Sequence, residues 1–178
     1  MRWVGATAVL DYLQNLALAN WVRTSPSIFA YTTVLAVHAV GLAIVVGVNT
    51  IIALRLLGVA KAIPLAGLRQ LYGTVWFGFC INLVSGILLF IAEANAMAAM
   101  AAFWAKLALV ALGMIVAALL QRYYFDDVAS VQAGVVSRVG RNLAIVSLAC
   151  WYLALIVGRL TGYPDLVAGW LGLGGTGN

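Results

Sequence analysis

Between Arg23 and Arg55 the chain carries no formal charge. At about 1.5 Å per residue, a helix through that run crosses a hydrocarbon layer of roughly 30 Å with tilt to spare. Lipid offers no hydrogen bonds, so a segment spanning it satisfies its own backbone by coiling into a helix. The run is therefore read as a transmembrane span over about 27–57. Near its middle stands His38, the only histidine in the protein. An ionisable group inside a bilayer is costly, and its presence there marks a candidate site.

The rest of the chain repeats this pattern. It is 65% hydrophobic and 8% charged, against roughly 25% charge in a soluble domain, which excludes a water-soluble core. The formal charge of +5 comes from ten Lys and Arg residues that lie at the edges of apolar runs, with no basic stripe suited to nucleic acid. The partner they imply is the lipid bilayer. A second span is expected over about 71–91, inside a charge-free stretch that Glu93 closes. Counting back from the Arg122-Tyr123-Tyr124-Phe125 anchor gives a third over about 103–124, with Phe103 and Trp104 at one interface and Lys106 in its first turn. The fourth covers about 142–160.

Ahead of the first span, Leu10, Leu13, Ala17 and Trp21 fall near one helical face, while Asp11, Gln14 and Asn15 point elsewhere. The polar residues come too early for a signal peptide, and no small-residue cleavage site follows. Trp3 and Trp21 suit the headgroup level, so 1–23 reads as an amphipathic helix lying on the membrane. Thr24-Ser25-Pro26-Ser27 then turns the chain inward. Beyond the fourth span, 161–178 reads as a tail, glycine-rich from 172.

The chain is expected to form one domain, 1–178: an all-α integral membrane protein whose short connections make an up-down four-helix transmembrane bundle. Loops after the first and third spans hold Arg55, Lys61, Arg69, Arg122, Arg138 and Arg141, against Arg2, Arg23, Lys106 and Arg159 on the other side. That bias places both termini outside the cytoplasm.

Heights counted from the basic end put His38 about 25 Å up, Ser85 about 22 Å, Gly86 and Lys106 about 24 Å and Arg159 about 27 Å. These residues and Gly41, three positions from His38, form one polar layer in the outer half. The layer is a candidate cofactor site: His38 as a haem iron ligand with propionates near Lys106 or Arg159, or a contact for a quinone or lipid headgroup. A low-spin haem also needs a second axial ligand, from Met97, Met100 or a second subunit's His38. The plainer alternative has His38 hydrogen-bonding Ser85, Asn82 or a backbone carbonyl to set helix register, with the two cations snorkelling to headgroups.

Other signals are weaker. Cys80 and Cys150 sit apart inside apolar spans, without CxxC spacing, and with one histidine they assemble no zinc or copper set. Asn49 suits an interhelical hydrogen bond and Trp151 the core, while Tyr123 and Tyr124 suit the interface. Asp126-Asp127 lies in a loop among arginines as solvated charge. No inverted repeat or matched breaks point to a transporter, and no catalytic pair points to an enzyme acting alone.

The run HAVGLAIVVGVNTIIALRLLG, with His38, Gly41, Gly47 and Arg55 through Gly58, resembles a group of small bacterial inner-membrane proteins with an H-x-x-G motif and a closing L-R-L-L-G in the first span. The resemblance covers roughly 27–160 and implies a multi-pass bundle in the bacterial inner membrane. More distantly the layout is similar to the copper-resistance D-type membrane domain and to b-type cytochrome membrane subunits, although the second histidine is missing. Together these point to a membrane subunit of an electron-transfer assembly holding haem b or a quinone. The alternative is a non-catalytic structural or accessory subunit. Either would work as a homo-oligomer or within a larger complex.

Overall fold

Four runs of apolar sequence become four long helices. In a computed structural model these are α3 (Tyr31–Leu57), α4 (Leu65–Ala92), α6 (Ala101–Leu120) and α7 (Arg138–Leu160), each long and apolar enough to cross a membrane. Three shorter helices accompany them: α1 (Val4–Gln14), α2 (Ala17–Thr24) and α5 (Ala94–Ala99). The structure describes residues 4–59, 61–125 and 136–163. Trp3, the Asp126-Asp127 loop, the tail beyond Tyr163 and the side chains of Tyr123 and Tyr124 lie outside the described residues.

Local chemistry sets the helix ends. Gly58, at φ 87°, closes α3: its N–H bonds the Arg55 carbonyl at 3.1 Å and the Val59 N–H bonds the Leu54 carbonyl at 3.0 Å. That pairing needs a left-handed residue, a role in which glycine has no Cβ penalty. Arg55 Nε donates to the Ile63 carbonyl and ties down the short loop, after which Pro64 precedes the first turn of α4. At the start of α7, Ser137 Oγ accepts from the Gly140 N–H at 3.1 Å, a standard N-terminal cap. The α6 helix runs on into one π-helical turn, Gln121–Phe125.

Packing arranges the long helices in the order α4, α3, α7, α6 around an up-down bundle, since α3 packs on α4 and α7, and α7 on α6. The circuit closes between the outer members at both ends. Near the arginine-rich end Tyr72 of α4 meets Phe125 at a ring separation of 5.5 Å, and Trp76 Nε1 donates to Gln121 Oε1 at 3.1 Å. At the opposite end Phe90 stacks on Phe103 at 5.3 Å. Two buried apolar clusters fill the interior, one around Ile52, Leu56, Leu68, Tyr72 and Leu120, the other around Val45, Val75, Met114 and Trp151.

The N-terminal segment differs from the single helix expected over 1–23. It breaks at Asn15-Leu16, where Leu16 turns extended (φ −56°, ψ 142°), into α1 and α2. The α2 helix buries Ala19 and Val22 against the bundle, where it packs on α4, while α1 packs on α5. Asp11 and Gln14 are engaged, because Asn95 of α5 donates from Nδ2 to Asp11 Oδ1 at 2.8 Å and to Gln14 Oε1 at 3.0 Å. The first long helix begins later than expected, at Tyr31, and the other three begin earlier: Lys106 stands in the second turn of α6, after a break at the extended residue Met100.

Candidate functional site

The polar layer is built mainly where α3 meets α4. Their approach is close because both helices present glycine at the contact. A Cβ on Gly41 would stand 2.8 Å from the Asn82 backbone nitrogen, and one on Gly78 would stand 2.7 Å from Ile44 Cγ2. Small residues at such positions let helix backbones approach in lipid, where no hydrophobic force drives association.

One turn above Gly41, His38 and Asn82 hold each other. His38 Nδ1 lies 3.1 Å from the Asn82 carbonyl oxygen and 3.1 Å from Ser85 Oγ. Asn82 Nδ2 donates back to the His38 carbonyl at 2.9 Å. A carbonyl only accepts, so Nδ1 carries the ring proton. The Ser85 hydroxyl agrees, since it spends its own hydrogen on the Ile81 carbonyl at 2.7 Å and offers Nδ1 a lone pair. In the neutral imidazole Nε2 is then the unprotonated nitrogen, and it has no hydrogen-bond partner among the described residues. Gly86 makes room for the ring: a Cβ there would stand 3.1 Å from His38 Cε1.

Lys106 enters from the other side. Its stem lies against Gly158 of α7, where an added Cβ would stand 3.3 Å from both Cδ and Cε and 3.6 Å from Nζ. No carboxylate among the described residues acts on Lys106 or pairs with it. The structure thus brings His38, Ser85 and Gly86 together where α3 meets α4, and sets the Lys106 stem against Gly158 of α7.

Two other residues of the expected layer are placed differently. Gly41 is buried under the α4 backbone, so its missing side chain is used for helix contact. Arg159 is exposed, donating to Tyr163 Oη at 2.7 Å and lying 4.9 Å from that ring's centroid. Asn49 bonds the Val45 carbonyl of its own helix at 2.8 Å, and no bond from it to another helix is present among the described residues. Trp151 is buried and fills the space left by Gly113, where a Cβ would stand 2.9 Å from the indole Cε2.

Sequence reasoning missed Gly158 and Gly113. A glycine in an apolar span was the available signal, and only a partner helix shows which large side chain uses it. Cys80 is exposed and Cys150 buried, both as free thiols. No group of three His, Cys, Asp or Glu among the described residues forms a metal set.

Fold and site together define a multi-pass integral membrane protein, a four-helix bundle with an intramembrane polar layer. No family model, curated protein or solved structure matches the chain.

Proposed function

We propose that this protein is a ligand-holding subunit of an electron-transfer assembly in the bacterial inner membrane, with both termini outside the cytoplasm and a quinone as its ligand at the His38 layer. One observation carries the reading. Within a membrane span, His38 has its tautomer fixed by the Asn82 carbonyl, with no partner for Nε2 among the described residues. A quinone head offers carbonyl oxygens to an ammonium, and its reduced form offers hydroxyls to Nε2. Gathering Arg55, Lys61, Arg69, Arg138 and Arg141 at one end supports the orientation, and the HxxG and LRLLG motifs support the bacterial inner membrane.

Haem b fits the same chain less well. A proximal histidine whose Nδ1–H is held by a carbonyl suits iron, and His38 would be that ligand. Met100, however, caps α6 six residues before Lys106, about 9 Å further out along the helix axis, and Met97 lies on α5 beyond it. A low-spin haem would take its second iron ligand from Met97, Met100 or the His38 of a second copy.

The test is an organic extract of the purified protein, analysed for quinone, beside oxidised and dithionite-reduced visible spectra, for wild type and His38→Ala. Quinone retained by wild type and lost in the variant is the expected result. A Soret band would transfer the site to haem. Neither signal in a folded sample would favour a structural subunit, a reading supported by the mutual His38 and Asn82 bonds, and crosslinking in intact membranes would then be expected to trap a partner or a second copy.

A further inference from the structure

Lys106 is the only charged residue of α6, and α7 leaves room for its side chain. It stands five residues inside the start of α6 at Ala101, whereas Gly158 lies two residues before the end of α7 at Leu160. Both are at the end of the bundle opposite the arginine-rich one. A side chain on a helix tilts toward that helix's N-terminus, so the Lys106 stem runs outward. It does so across α7: a Cβ on Gly158 would stand 3.3 Å from both Cδ and Cε and 3.6 Å from Nζ. The methylenes are covered by the neighbouring helix, and the ammonium is delivered to the last turn of α7.

Arg159, the next residue of the chain after Gly158, brings a second cation to that turn. Its guanidinium is exposed, donates from Nη2 to Tyr163 Oη at 2.7 Å and lies 4.9 Å from that ring's centroid, which occupies one of its five N–H donors. Aromatic side chains mark the depth. Trp104, two positions before Lys106, is exposed and donates from Nε1 to the Ala98 carbonyl at 2.9 Å, and Tyr163 is exposed just beyond α7. Trp and Tyr so placed sit at the level of lipid headgroups.

No carboxylate answers the two cations. Among the described residues neither Lys106 nor Arg159 forms an ion pair, and the acids of this end are Asp11, held to Asn95, and Glu93, at the end of α4. A neutral carbonyl ligand would take a hydrogen bond from the ammonium and leave its charge standing. An anion neutralises that charge, and in a layer of low dielectric the difference is large. At headgroup depth the anion at hand is a lipid phosphate.

We propose that this end of the α6 and α7 pair binds the phosphate of one anionic phospholipid, held by the Lys106 ammonium at the Gly158 notch and by the Arg159 guanidinium beside it. The site is separate from the His38 contact of α3 and α4, and stands whether or not a quinone occupies that contact. A lipid with one uncompensated negative charge, such as phosphatidylglycerol, fits it. Phosphatidylcholine carries its own cation and brings no net charge to the pair.

Native mass spectrometry of the full-length protein in mild detergent, titrated with phosphatidylglycerol or with phosphatidylcholine of the same acyl chains, tests the site. Wild type should saturate with one tight phosphatidylglycerol per chain and bind phosphatidylcholine at least about tenfold more weakly. Lys106→Met should lower phosphatidylglycerol affinity at least about tenfold, the loss of one charge-assisted contact. Arg159→Gln should lower it about threefold, the effect of an exposed charge. Gly158→Val removes no charge but takes the place of the Lys106 stem. It should also weaken phosphatidylglycerol binding, which general attraction between a basic protein and an acidic lipid does not explain. Lys61→Met, an exposed cation at the other end, should leave the tight site unchanged. Equal phosphatidylglycerol affinity in wild type, Lys106→Met and Gly158→Val, with equal helix content by circular dichroism, would overturn the proposal. So would displacement of the lipid by inorganic phosphate at a matching concentration, which would make the ligand a free anion.

Discussion

The interface between α3 and α4 and the interface between α6 and α7 solve one problem in opposite ways. Both bring helices together where lipid is as apolar as the side chains, so exclusion from water contributes little. On the first, Gly41 meets backbone at the Asn82 amide while Gly78 takes the Ile44 side chain, and the approach lets His38 and Asn82 exchange hydrogen bonds. On the second, glycine meets a large side chain, with Trp151 over Gly113 and the Lys106 stem over Gly158. The first contact is rigid and directional. The second is a side chain in a notch, and a side chain can move when the notch is filled.

That contrast predicts a graded series, measured as unfolding free energy in mixed detergent micelles. Gly41→Val should have the largest effect, about 3 kcal/mol or failure to assemble, because the two nearest neighbours of the new Cβ, the Asn82 nitrogen and the Gly78 oxygen, are backbone atoms that cannot step aside. Gly113→Ala should cost about 1–2 kcal/mol, since an indole 2.9 Å away must shift. Adding Trp151→Phe to that variant should recover part of the loss, which would show that the notch yields. Asn82→Ala should cost about 0.6 kcal/mol, the typical value of one interhelical hydrogen bond in a membrane, because the backbone carbonyl that accepts from His38 survives the change. Gly47→Ala should be the smallest and of opposite sign, a gain of about 0.5 kcal/mol from helix propensity, as no neighbour lies within 4 Å of the new Cβ. A Gly113→Ala cost equal to that of Gly41→Val would erase the distinction between the interfaces.

Much of the bundle was legible beforehand because membrane thickness is a ruler. Length between charges located all four spans, and counting residues from the basic end placed His38, Ser85, Gly86 and Lys106 at one level; the structure sets His38 against Ser85 and Gly86, and the Lys106 stem against Gly158. The misses have physical causes. Arg159 belongs to that level by height but finds Tyr163 one turn on, a local pairing that height does not register. Asp11 and Gln14 are expected from sequence only to point away from the apolar face, since nothing in α1 announces that Asn95, 81 positions beyond Gln14, will engage them.

Sequence alone therefore determined what depends on distance along the helix axis: the number of spans and the stretch of chain that each one occupies. Tertiary structure decided what depends on the angle around that axis. In a soluble helix polar residues label the outer face, but in lipid both faces are apolar, so the angle at which Lys106 leaves α6 is not written in its own helix. It is set by Gly158 on another one. The tautomer of His38 is likewise set by a carbonyl 44 positions away, because a lone pair and a proton are distinguished only by what they face.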